Sequence, residues 1–94
     1  MMARIFEGDV GTIIRLDTGT DLSSATVMKI EYTKPDGSTG EWLAQRDPND
    51  VNAMFYKTLS GDLDQSGTWA LRAYVELPDW KGHGEEVRMM VGAL

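Results

Sequence analysis

Cysteine is absent from this chain, histidine occurs once, and basic residues are outnumbered by acidic ones, 9 to 15. Without cysteine there are neither disulfides nor thiolate metal sites, which excludes the disulfide-dense secreted scaffolds and suits assembly in a reducing cytoplasm. The single histidine, His83, stands between Gly82 and Gly84 with no second histidine or cysteine to complete a zinc shell. The nine basic residues are scattered and the formal net charge is −6, so the surface repels nucleic-acid phosphates and serves solubility instead. Apolar runs are also short. None approaches the ~18 residues of a membrane span. The opening Met1–Glu7 lacks an apolar core and soon meets Glu7 and Asp9, so no signal peptide is expected.

What is present is a chain of 94 residues, read as one domain over 1–94. A domain of this size buries a thin core, with little room for a deep, dry pocket. Apolar residues recur at period two rather than at the 3.6 of an amphipathic helix, and turn residues come every ten or so positions. Arg4–Phe6, Thr12–Asp17, Ala25–Thr33, Gly40–Ala44, Ala53–Thr58, Thr68–Glu76 and Glu85–Val91 read as strands. In the third, Met28, Ile30 and Tyr32 share one face while Lys29 and Glu31 mark the other as solvent-facing. Lys34-Pro35-Asp36-Gly37 is a hairpin turn, proline presetting one corner and Asp-Gly accepting positive φ. Trp69, Leu71, Ala73 and Val75 point inward from a central strand that follows the polar corner Gly61–Gly67. Phe55, Val87, Met89 and Val91 are expected in the core, and Leu22 is expected to tuck in from its loop. Seven short strands in hairpins predict an all-β, immunoglobulin-like antiparallel sandwich, with a small closed barrel as the alternative. Asp47–Met54 also reads as one short helical turn, capped by Asp47 with Pro48 at its first position.

Several constellations resemble chemistry without completing it. Asp62-x-Asp64-x-Ser66-Gly67 copies the first half of a calcium loop, where oxygen ligands alternate before a glycine bend. Position twelve of that loop falls on Ala73, so Asp62, Asp64 and Ser66 are a weak metal candidate beside the plainer reading of a polar corner. The serines lie in turns with no elbow motif, and neither glycine-rich segment ends in Lys-Ser/Thr before a helix. No catalytic residue and no cofactor are therefore expected, and the chain does not read as an enzyme. Trp80 falls in the loop Leu77–Gly84, either folded over the core edge or exposed as a contact anchor. Met90 has outward parity on the final strand. Phe6, Trp80, His83 and Met90 are thus the expected contact residues.

Four segments in order carry a family resemblance: Leu16–Thr26, Lys34-Pro35-Asp36-Gly37, Gly61–Trp69 and Trp80–Glu85. Together they resemble small structural proteins of tailed bacteriophages, and similar β-sandwich domains stand at the N-termini of phage baseplate upper proteins. The resemblance runs from about Ile5 to Val91. It implies a virion component of tail, neck, baseplate or capsid surface, assembled in the host cytoplasm and docking onto other phage structural proteins and copies of itself. Baseplate upper proteins continue into a helical bundle and a receptor-binding domain, whereas this chain ends at Leu94, so host recognition is not expected of it. The alternative is a carbohydrate- or cell-surface-binding module, in which Trp80 beside Asp79, Lys81 and His83 would form a sugar platform.

Overall fold

The structure is a computed structural model that describes residues 4–94. Nine strands follow one another: β1 Ile5–Phe6, β2 Ile13–Asp17, β3 Val27–Thr33, β4 Thr39–Leu43, β5 Gln45–Asp47, β6 Asp50–Lys57, β7 Gly67–Leu77, β8 Trp80–His83 and β9 Val87–Gly92. No helix occurs among the described residues. A larger sheet has the order β1-β9-β7-β3-β4, with β8 also on β7, and a smaller one has the order β2-β6-β5. The two face each other across a core to which both contribute.

β7 organises the larger sheet. One of its edges pairs antiparallel with β3 from Ala70 to Glu76. Its other edge is shared, Gly67–Leu71 taking β9 and Tyr74–Leu77 taking β8. Between these pairings the three residues Gly84–Glu86 stand opposite the two residues Arg72 and Ala73, which makes a β-bulge. The chain changes sheets at Ala44, whose N–H donates to Met28 O (3.0 Å) before Gln45 pairs with Phe55 on β6.

The period-two pattern supplies the core. Trp69, Leu71, Ala73 and Val75 are buried along β7, Ile14 and Leu16 along β2, and Met54 on β6. Trp42 lies at its centre, with ring centroids 4.6 Å from Tyr32, 5.0 Å from Tyr56 and 6.0 Å from Trp69. Tyr56 comes from the smaller sheet and the other three rings from the larger, so the aromatic stack ties the layers together. Leu22 and Leu63 are buried from loops at opposite ends. Glycine at position 40 makes room for this stack, because a Cβ there would overlap the Tyr32 ring. Gly40→Ala is therefore expected to destabilise by about 1–3 kcal/mol through overpacking, read as a lower urea midpoint at unchanged slope. An unchanged midpoint would mean that Tyr32 does not lie there.

Five expectations are corrected. Among the described residues the strands number nine rather than seven, because β5 and β8 have the composition of loops. The helical turn at Asp47–Met54 is instead a hairpin. Asp47 does accept the Asn49 N–H (2.8 Å), as a cap would, but the chain reverses at Pro48-Asn49 and Asp47 pairs with Asp50. Pairing is not wholly antiparallel, since β1 runs parallel to β9 through Ile5↔Val91 and Phe6↔Gly92. Phe55 is only partly buried, because Met54 faces inward opposite Leu16 and puts Phe55 on the outer face. Val87 has inward parity but is 43% exposed, as the smaller sheet does not extend over it.

Candidate interaction surfaces

The polar corner before β7 is used structurally. Asp62 accepts the Tyr56 hydroxyl (2.5 Å) and the Leu59 N–H (2.7 Å). Asp64 turns the other way and ion-pairs with Lys34 (2.9 Å). The Gln65 side-chain amide donates to Asp36 (2.8 Å), and the Gln65 backbone carbonyl accepts the Trp69 indole N–H (3.0 Å). Asp62 and Asp64 thus diverge, with Ser66 beyond them, and no three acidic or histidine side chains among the described residues are grouped to hold a metal. Burial and the bond to Asp62 push the Tyr56 phenol up to about 12. The hairpin carboxylate of Asp36 is held below its ordinary value by Ser38 and Gln65.

The expected contact residues do not converge. Phe6 and Met90 are neighbours on the outer face of the larger sheet. The Phe6 ring lies over Gly92, where a Cβ would come within 2.9 Å, and Met90, two residues back on that face, is 66% exposed. His83 shares the face but pairs with Tyr74, six positions along β7 from the Thr68 that pairs with Met90. That is a separation of about 20 Å at the strand repeat. Trp80 starts β8 rather than lying in a loop, its ring folded over Gly82 and 47% exposed.

His83 is likewise a strand residue. Its Nε2 lies 2.9 Å from Glu31 Oε1, and its ring is 5.0 Å from Tyr74. Glu31 faces Glu41 directly across β3 and β4, a like-charge pair. Lys29 answers Glu41 at 2.8 Å while His83 approaches Glu31, so this face is a structural charge lattice. A second lattice lies on the smaller sheet and was not foreseen. Arg15 crosses the outer face of β6 to reach Asp47 (2.9 Å) and Asp50 (2.8 Å). The only sequence signal was an arginine at an outward position of a short strand.

Large apolar side chains are exposed in numbers that the scattered charges do not explain: Val10, Ile13, Leu59, Met90 and Leu94 among them. Backbone bonds bring their segments to one end of the molecule. Glu7 N–H donates to Gly92 O, Gly8 N–H to Leu63 O, and Gly11 N–H to Thr58 O, each at 2.8 Å. On the side away from Ala44, a groove of about 670 Å³ separates β2 from the β8–β9 bulge. No protein-family model matches the chain, and no curated protein or solved structure matches it.

Proposed function

We propose that the chain is a non-enzymatic structural protein that works by docking onto other protein subunits, and that it is a virion component of a tailed phage. The observation that carries the docking reading is the apolar end, where Val10, Ile13, Leu59, Met90 and Leu94 are exposed on segments tied together by backbone bonds. Ile13 and Met90 flank this end on the outer faces of the two sheets, and exposed apolar groups on the segments of one end of a small domain mark a contact surface. The phage assignment rests on the four resembling segments. Its partners would be other phage structural proteins and copies of this chain.

The immunoglobulin-like part of the reading is supported by topology. The first strand lies parallel to the last on a sheet that continues through β7 and β3, against a second sheet of three strands. It is supported also by Trp69, near the start of the strand after the polar corner, whose indole N–H reaches back to the Gln65 carbonyl. Immunoglobulin-like domains place a tyrosine there with the same backward bond.

Size-exclusion chromatography with light scattering tests the docking reading. The isolated chain is expected to self-associate as its concentration rises, and Leu59→Asp and Met90→Asp are each expected to reverse this. A chain monomeric at every concentration, with its partition on hydrophobic resin untouched by either substitution, would sink the reading.

A further inference from the structure

The two sheets are closed along one side and open along the other. At Ala44 a single run of chain passes from β4 to β5 and joins the layers. Opposite, the edge of β2 faces the β8–β9 strand across the 670 Å³ groove, whose lining includes Arg15, Leu16, Asp17, Ala73, Gly84 and Val87. Val87 faces into this space and is 43% exposed although its parity is that of the core.

The groove wall presents backbone. Thr18 N–H donates to Asn52 O and Thr58 N–H to Thr12 O, so the even-numbered residues of β2 are bonded to β6. Antiparallel pairing alternates, and the N–H and C=O of Ile13, Arg15 and Asp17 therefore point off the sheet. This five-residue edge carries Arg15 and Asp17 but neither proline nor bulge, two of the protections that block strand addition outright. On the same side of the molecule β1 has already added to the outer edge of β9 for two residues.

We propose that this groove is a strand-docking site. An extended segment of a different protein adds to the β2 edge, places apolar side chains at alternate positions over Leu16, Ala73 and Val87, and closes the open side. The proposal rests on the docking reading above and names its site and mode. A foreign segment fits better than a second copy. Among the described residues every strand is already paired within its own sheets. Two β2 edges paired antiparallel about their centres would set Arg15 against its twin. The net charge of −6 further opposes a second copy and favours a basic segment.

The test uses two synthetic heptapeptides of identical composition, Lys-Val-Thr-Val-Thr-Val-Lys and Lys-Thr-Val-Val-Val-Thr-Lys, titrated into the isotope-labelled chain. The alternating peptide is expected to bind about tenfold more tightly, a difference of about 1.4 kcal/mol, and to shift the amides of residues 13–18 and 84–87. Ile13→Pro removes one edge donor without touching the β6 ladder, and Val87→Arg fills the apolar floor; each is expected to weaken binding about tenfold. If Ile13→Pro proves unstable, Val87→Arg, at a half-exposed site, decides alone. Equal binding of the two peptides, shifts confined elsewhere, no binding at millimolar peptide, or a groove filled by dimerisation would each overturn the proposal. Self-association that Leu59→Asp reverses, in a chain that binds neither peptide, would leave the docking reading standing while the groove fails. Peptide binding by a chain that never self-associates would do the reverse.

Discussion

Trp69→Ala is expected to remove about 4 kcal/mol of stability, the magnitude of deleting a large buried aromatic. Trp69 is fully buried and packs against both Trp42 and Tyr32, with centroids at 6.0 and 5.5 Å. Its indole N–H is also the bond that holds the corner carbonyl of Gln65 at the start of β7. The substitution therefore leaves a cavity where the two sheets meet and frees the turn that aims the central strand. Domains of this size carry about 5–14 kcal/mol in total, so the variant should be marginal at room temperature. The corresponding fall in melting temperature is roughly 20 °C. Trp69→Phe, which keeps most of the ring, should lose appreciably less. Urea denaturation followed by far-ultraviolet circular dichroism checks both. A loss under about 1 kcal/mol for the alanine variant would mean that Trp69 does not sit in the core.

Alkaline pH is expected to destabilise the protein through Tyr56. Burial, then the bond to Asp62, pushes its phenol up to about 12, against 10.0 for an ordinary tyrosine. The neutral phenol is thus favoured by the fold. Below pH 10 neither state ionises and the stabilisation is complete. Between pH 10 and about 12 the unfolded chain gains by releasing the proton, and stability falls. Two units correspond to at most about 2–3 kcal/mol. Asp62→Asn removes the charge but leaves the burial, so part of the shift should persist, and the stability loss, still starting near pH 10, should be smaller and end at lower pH. Tyrosinate absorbance, with Tyr56→Phe subtracted to isolate the residue, follows the ionisation directly. A Tyr56 phenol that titrates near 10 in the folded protein, or an Asn variant indistinguishable from the parent, would refute this account.

The long strands were legible because their two faces differ in chemistry. β3 sets Lys29 and Glu31 against Met28, Ile30 and Tyr32, and β7 sets Arg72 and Glu76 against Trp69, Leu71 and Val75. β6 is legible as a strand over Ala53–Thr58 but not in which way it faces, because Ala53-Met54-Phe55-Tyr56 is apolar throughout and parity cannot be read from a uniform run. Only pairing with Leu16 on β2 turns Met54 inward. β8 was hidden by its own composition, since glycines at 82 and 84 signal a turn to any local reading, while its strand geometry comes from the long partner β7. Val87 was placed on the correct face, but how far the opposing sheet extends is a tertiary fact. The candidate surfaces fared similarly. The outward parity of Met90 was readable, whereas its place beside Phe6 depends on the parallel β1–β9 pairing of residues far apart in the chain.

That pairing has a mechanical consequence. Ile5 and Phe6 run in the same direction as Val91 and Gly92. Tension drawn from the Ile5 side to the Gly92 side therefore acts along the strand axis and loads the bonds between them in shear. They share the load instead of parting one after another, as they would if the chain were peeled from an edge. A subunit threaded into a strained assembly through these two points would resist forced opening more than its thin core implies.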